Sequence, residues 1–282
     1  MGNKENIKHI ENGFPFKIYE NTTKDGYNYY NHWHNEVEII YVLEGEAEIT
    51  INFLSRNMKK GDIIFINKGD LHNVIDKKIL CNWVTFVFDL NLLSSLIEDS
   101  VYHYDIYPLI DGRNIIKDIV DSKLYVNILE EIYHVFLKKD AFYQLKLKGL
   151  LFELVYNLYK NNDIIKSKNR EDNSLNKLKT AIEYINNHYH ENIIVKDIAS
   201  SCYLNEFYFM KFFKKYMNMT VNEYLNNYRL RRAYKLIKNT DLSITEIAFQ
   251  TGYNNSSYFI VQFKKMYNIT PKELRKNGWS TF

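Results

Sequence analysis

Two histidines one residue apart, His32 and His34, are followed four positions later by Glu38 in the stretch HWHNEVEIIYVLEG. Imidazole nitrogens and a carboxylate are the donor atoms that hold a divalent transition ion. The same groups can instead hydrogen-bond a polar ligand in a pocket that holds no ion. On a β-strand alternate side chains share a face, so His32, His34, Glu36 and Glu38 are expected to point together. Which chemistry they carry depends on the elements that position them.

Up to about Asp89 the pattern alternates and favours strands: EIIYVLEG, EAEITINF, DIIFIN and CNWVTFVFDL. Turn signals at Glu44-Gly45, Lys60-Gly61-Asp62 and Lys68-Gly69-Asp70 separate them, which predicts an antiparallel barrel or sandwich. From about Ile115 the period becomes helical, and Leu147, Leu150, Leu151, Leu154 and Leu158 form one stripe. Such a stripe packs on its own domain or serves as a helix-to-helix dimer seam. The polar segment DIIKSKNREDNS, Asp163 to Ser174, reads as an interdomain linker. No apolar run is long enough to span a membrane, and the first residues lack a signal-peptide core, so no membrane partner and a cytoplasmic location are expected. Cys81 and Cys202 fall in different predicted domains, which argues against a disulfide and fits a reducing compartment.

Charge divides the chain. Residues 174–282 carry 16 Lys and Arg against 8 Asp and Glu, a net of +8, whereas residues 1–173 carry 21 against 26, a net of −5. A basic third beside an acidic remainder points to a polyanion partner for one part only. That third also repeats itself: Asp197-Ile198-Ala199 recurs as Glu246-Ile247-Ala248, and Phe213-Lys214-Lys215 as Phe263-Lys264-Lys265. Thr220 with Glu223, Ser243 with Glu246 and Thr270 with Glu273 are capping boxes, and Pro271 stands at the favoured first helical position. Each repeat has the layout of a helix-turn-helix, the turns being Cys202-Tyr203-Leu204 and Thr251-Gly252-Tyr253. The second helix of such a unit lies in the major groove with its outer face toward base edges. Leu204, Phe209, Phe213, Tyr253, Phe259 and Phe263 are predicted to be buried.

Residues 175–275, and above all YLNNYRLRRAYKLIKNTDLSITEIAFQTGYNNSSYFIVQFKKMYNITPKELR, resemble the DNA-binding domain of AraC/XylS transcription regulators. The resemblance implies that Asn205, at the start of a helix, and Glu206, Phe207, Met210 and Lys211 on it face DNA from the first unit. Ser256, Ser257, Ile260 and Val261 would do so from the second. Phosphate contacts are expected from Lys214, Lys215, Arg229, Arg232, Lys264 and Lys265. The chain departs from the family pattern at Asn218 and Asn268, where Gly is usual, at Ile194 in place of a polar cap, and at Val261, where Arg is common. Val261 removes a bidentate guanine contact and shifts direct discrimination to the first helix, with Lys211.

The spacing of His32, His34, Glu38 and Gly45 resembles the first cupin motif, and GDIIFINKGDLH resembles the second through Gly61, Gly69 and His72. By that resemblance His32, His34, Glu38 and His72 match the metal ligands of cupins. Asn67 replaces the usual Pro, and Asp76 stands where Asn is frequent. Sensor domains of AraC-type regulators are also cupin-like and generally bind an effector without metal. The expectation is therefore no cofactor, with a divalent metal as the alternative.

Around this segment stand Tyr27, Tyr29, Tyr30, Trp33, Tyr41 and Trp83. Aromatic faces beside acids and histidines suit a sugar, by stacking and by hydrogen bonds to hydroxyls. The effector site is accordingly placed at Tyr29, His32, Trp33, His34, Glu38, Tyr41, His72 and Trp83. The fold class read from the sequence is a multidomain α and β chain. It has a cupin-like effector barrel whose residues before Tyr27 form an N-terminal arm (1–110), a helical dimerisation segment (111–162), a linker (163–174) and an all-α double helix-turn-helix domain (175–282). The expected function is a non-enzymatic, dimeric transcription regulator, an activator by resemblance. Its partners would be promoter DNA, a small effector such as a carbohydrate, and RNA polymerase. A metal-dependent cupin enzyme or metal sensor fused to a DNA reader is the alternative.

Overall fold

The computed structural model describes residues 9–10, 13–23, 31–75, 80–95, 99–167, 173–217 and 219–277. They fall into two compact units, within 4–172 and within 173–282. The expected arm positions outside those ranges, together with Tyr27, Tyr29, Tyr30, Asp76 and Asn218, lie outside the described residues.

The first unit is built on β1 (Phe16–Thr22), β2 (Val37–Ile51), β3 (Leu54–Lys59), β4 (Ile63–Ile66), β5 (His72–Ile75) and β6 (Cys81–Phe88). All pairings are antiparallel, and β2 is the common element: its first half pairs with β4 and β6, its second half with β3 and β5. The register with β6 shifts between Val42 and Glu44, and a bulge of this kind bends the strand from one layer into the other. Gly45 follows at φ 76°, and a Cβ there would stand 1.8 Å from the Leu80 carbonyl oxygen, so only glycine fits. Among the described strands the ladder runs β1-β6-β2-β3 and does not close. The expected barrel is thus a bent, two-layered sheet; β4 and β5, of 4 residues each, find a strand partner only in β2. Residues 16–22, which fall in the expected arm, form β1 and pair with β6 along its length.

Alternation along β2 sorts two cores. Ile40 and Val42 face inward with Ala47, Ile64, Ile66 and Trp83. Val37 and Ile39 face outward with Phe65 and Phe86, onto α2 (Val126–Lys138) and α3 (Tyr143–Lys160). The five leucines of the stripe are each at most 2% exposed in that outer core. Burial of roughly 1.5–3 kcal/mol per leucine holds the stripe in its own domain, so it is not a dimer seam.

The linker starts later than expected. Asp163 is buried and accepts hydrogen bonds from Tyr125 Oη at 2.6 Å and Lys117 Nζ at 3.1 Å. Burial, then the bond to Asp163, pushes the Tyr125 hydroxyl up to about 12. Strand β7 (Asn114–Ile116) pairs with β8 (Ile164–Lys166), so residues 163–166 belong to the first unit.

The second unit comprises α4 (Asn173–His188), α5 (Val195–Ser201), α6 (Glu206–Met217), α7 (Val221–Asn239), α8 (Ile244–Gln250), α9 (Ser256–Tyr267) and α10 (Pro271–Asn277), with a short α1 (Tyr107–Ile110) belonging to the first unit. The boxes at Thr220/Glu223 and Ser243/Glu246 close in both directions, and Thr270 and Glu273 exchange the same bonds. Ile194 caps α5 without a side-chain bond, as expected of an apolar residue there. Ala199 and Ala248 are buried where paired helices approach, and Phe209, Phe213, Phe259 and Phe263 are fully buried. Leu204 is only half-buried. Among the described residues no helix is long and apolar enough to cross a membrane.

Candidate functional site

Strand β2 begins at Val37, so His32 and His34 precede it and strict alternation does not place them. An antiparallel bridge does: His32 N donates to His72 O at 3.0 Å and His72 N to His32 O at 2.9 Å. Gly69 N donates to His34 O at 2.8 Å, holding the β4–β5 turn against the histidine segment. Asn67, in the place of the motif's Pro, builds that turn. Its Nδ2 donates to Ile116 O at 2.8 Å and its Oδ1 accepts from Ile116 N at 2.7 Å, as a peptide group would. Its backbone N donates to Asp70 Oδ2 at 2.9 Å. A proline could make none of these bonds.

The result brings His32, His34, Glu38 and His72 together, one donor atom from each lying within 4.8 Å of every other. His34 Nε2 is 3.0 Å from Glu38 Oε2, and His72 Nε2 is 3.4 Å from the same oxygen. Burial pushes the Glu38 carboxyl up, but His34 and His72 outweigh it and hold the group well below the usual carboxylate range. Glu36 meets the cluster from its outer side: its backbone carbonyl accepts from His34 Nδ1 at 3.1 Å, and its Oε2 lies 3.6 Å from the same nitrogen.

Two expected pocket residues land differently. Tyr41 is three positions from Glu38 and therefore on the opposite face, packed on the outer core, where burial and then the nearby Glu130 push its hydroxyl up. Trp33 is buried, and Trp83 belongs to the inner core. Polar residues that the sequence reading passed over share the inner face with Glu38. Register places Tyr19 opposite Thr85, Thr85 opposite Ile40, and Asn21 opposite Trp83. Asn21 Nδ2 donates to Thr85 Oγ1 at 2.9 Å, and His9 Nδ1 lies 3.0 Å from Tyr19 Oη. The alternation Lys17, Tyr19, Asn21 was the available signal, hidden by reading this segment as an arm.

In the second unit both turns repeat. Leu204 N donates to Ala199 O and Tyr253 N to Ala248 O, each at 3.0 Å, with positive φ at Tyr203 and Gly252. Asn205 Oδ1 accepts from Tyr208 N, and Asn255 Oδ1 from Tyr258 N, each at 2.9 Å, so Asn205 serves as a helix cap. Glu206, Phe207, Met210 and Lys211 are all exposed on one side of α6, and Lys211 Nζ stands 4.3 Å from the Phe207 ring centroid. On α9, Ser257, Ile260 and Val261 are exposed and Ser256 is half-buried. Lys214, Lys215, Arg232, Lys264 and Lys265 are exposed.

Arg229 is placed otherwise. Its Nε donates to Tyr189 O and its terminal Nη2 to Glu191 O, each at 2.7 Å, past the end of α4. The guanidinium expected at phosphate is committed to backbone carbonyls. Tyr253 Oη donates to Asn226 Oδ1 at 2.8 Å, so α7 holds the second turn as well.

Two family profiles match this architecture: an AraC-like ligand binding domain over residues 18–155 and a helix-turn-helix domain over residues 198–277. The chain belongs to the AraC/XylS family. It is a transcription regulator of that family, with a ligand-binding domain and a DNA-binding helix-turn-helix domain. Among AraC-type relatives, an uncharacterized HTH-type transcriptional regulator, YdeC of Bacillus subtilis, is 28% identical over 97% of this chain and 96% of its own length. The HTH-type transcriptional activator RhaS of Mannheimia succiniciproducens is 25% identical, covering 86% of this chain and 88% of that one. The melibiose operon regulatory protein of Escherichia coli is 24% identical over 87% and 83%.

Proposed function

We propose that this AraC-type regulator is a cytoplasmic homodimer that activates transcription when its first unit takes up a small polyhydroxylated effector, a sugar. The observation that carries the reading is the inner face of the sheet, where Tyr19, Asn21, Thr85 and Glu38 set polar groups beside the indole of Trp83. Hydroxyls need such donors and acceptors, and a sugar's C–H face needs the ring. The names of two relatives, an activator and a melibiose operon regulator, agree with it. No catalytic role is assigned, and RNA polymerase is the partner an activator requires.

The exposed face of α3 supports the dimer. Leu145 (73% exposed), Gly149, Phe152 and Tyr156 (61%) follow a heptad spacing opposite the buried leucines. A Cβ at Gly149 would meet nothing within 4 Å, so a second copy can approach closely there. The exposed residues of α6 and α9 are assigned to base edges, and Lys214, Lys215, Arg232, Lys264 and Lys265 to phosphates. Helix α7, with 19 residues, spans about 28 Å at ~1.5 Å each, near the ~34 Å between successive major-groove faces.

A thermal-shift screen of the whole chain with monosaccharides and disaccharides tests the effector reading. A sugar at ~100 times its dissociation constant stabilises the protein by about 2.7 kcal/mol, and Trp83→Ala or Thr85→Val should remove the shift. If no sugar raises the melting temperature, the effector class is wrong.

A further inference from the structure

His34 and His72 each have one ring nitrogen already spoken for. His34 Nδ1 lies 3.1 Å from Glu36 O and His72 Nδ1 lies 2.8 Å from Asp70 O. A carbonyl oxygen only accepts, so both Nδ1 atoms carry the proton, and in the neutral ring each Nε2 presents a lone pair. Both Nε2 atoms are turned to the Glu38 carboxylate, which is itself acceptor-only. His72 is 2% exposed, and its Nε2 has no hydrogen-bond partner among the described residues. With each Nδ1 donating to a carbonyl, the approach of both Nε2 atoms to the Glu38 carboxylate at 3.0 and 3.4 Å calls for positive charge between them, either second ring protons or one shared metal ion.

This arrangement passes the test of fit for a metal. Ring N–H groups donated to backbone carbonyls are the outer contacts that orient metal-binding imidazoles, with Nε2 left for the ion. Four donor atoms within 4.8 Å of one another are close enough to share one ion at bond lengths of about 2.0–2.2 Å. Three imidazoles and one carboxylate select a divalent first-row transition ion over calcium or magnesium, which take oxygen ligands.

We propose that His32, His34, Glu38 and His72 form a binding site for one divalent first-row transition ion per chain, making metal a ligand of the sensory unit of this regulator. The ligands come from three segments: the stretch before β2, β2 itself and the start of β5. The ion therefore ties the His32–His34 stretch to the β4–β5 turn, adding to the His32–His72 bridge and the Gly69 N–His34 O bond that join them. His9, buried, packs its ring 5.4 Å from that of His34, so loading is felt at His9 too. The proposal goes beyond the effector reading and does not depend on it.

The test uses the full-length protein, stripped with a chelator and titrated with cobalt(II), zinc(II), manganese(II), iron(II) and nickel(II). One equivalent of cobalt should bind with ligand-field bands of nitrogen and oxygen coordination, and loading should raise the melting temperature. Loss of an outer-sphere partner commonly weakens metal binding 10–100-fold, so loss of a ligand in His34→Ala, His72→Ala or Glu38→Gln should weaken it about 100-fold or more. Circular dichroism of each variant checks its fold. Wild-type protein that binds none of these ions below about 100-fold molar excess overturns the proposal. So does cobalt binding that survives unchanged in a His34→Ala/His72→Ala double variant. Binding of metal with no response to any sugar would sustain this site and sink the effector reading; a sugar response with no metal binding would do the reverse.

Discussion

Arg229 and Gly252 meet at one oxygen. Arg229 Nε donates to the Tyr189 carbonyl at 2.7 Å, and a Cβ on Gly252 would stand 2.4 Å from that same oxygen. The connecting helix, the segment that follows α4 and the second turn thereby meet at one point. Gly252→Ala should cost at least ~1–2 kcal/mol from its positive φ alone, before the clash is relieved. Arg229→Ala takes the guanidinium from the Tyr189 carbonyl, while Glu191 O keeps its bond from Ile193 N at 3.0 Å, and should cost about 1–2 kcal/mol. Both should lower the melting temperature of the protein and weaken operator binding, measured by calorimetry and gel shift. Unchanged stability in both would mean that this meeting point contributes nothing.

The exposed lysines should behave in the opposite way. Lys264→Ala or Lys265→Ala should leave stability within ~0.5 kcal/mol of the parent but lower the slope of log affinity against log salt by about 0.9. Lys211→Ala should instead relax selectivity at one base position by ~1–3 kcal/mol, read from binding to a panel of single-substitution operators. A uniform loss across that panel would reassign Lys211 to the DNA backbone.

On α3 the two faces separate folding from assembly. Leu147→Ala should destabilise the first unit by ~2–5 kcal/mol, because it empties a fully buried site. Phe152→Glu and Tyr156→Glu should leave stability nearly unchanged while converting a dimer to a monomer in light scattering. A protein that is a dimer with either glutamate in place uses another surface.

Three capping glutamates give the DNA-binding unit an acid limit. Backbone bonds first, from Thr220 to Glu223 and Thr270 to Glu273, and the hydroxyl first for Ser243 to Glu246, hold these carboxyls below their usual range. A lowered folded-state pKa stabilises fully above the unfolded value, about 4.3, and the gain is lost as pH falls through the folded value. Urea denaturation from pH 6 down to pH 3 should show this loss, and it should be smaller in the Glu223→Gln/Glu246→Gln/Glu273→Gln variant. Equal pH slopes would mean that the caps contribute nothing through charge.

Local signals were legible because their physics is local. The capping boxes, the duplicated turns, the buried Phe pairs and the positions on the outer faces of α6 and α9 follow from spacing within a few residues of one helix. So do the inner and outer faces of β2, whose alternation separates Ile40 and Val42 from Val37 and Ile39. Family membership was legible for the same reason, since the repeat that carries it is a string of such local signals.

What required the folded chain was everything set by a partner distant in sequence. Arg229 reads as a phosphate ligand until the Tyr189 and Glu191 carbonyls, some forty residues earlier, take its guanidinium. Tyr41 reads as a pocket aromatic until strand parity turns it to the helical side. The leucine stripe reads as core that would also suit a seam until the outer sheet face covers it, and Asp163 reads as linker until Tyr125 and Lys117 bury it. The histidine cluster lies between these cases. Its residue types and spacing belong to the sequence, but the convergence of His32, His34, Glu38 and His72 is made by a backbone bridge and by Asn67's bonds to Ile116. Those bonds join segments whose meeting no local periodicity encodes.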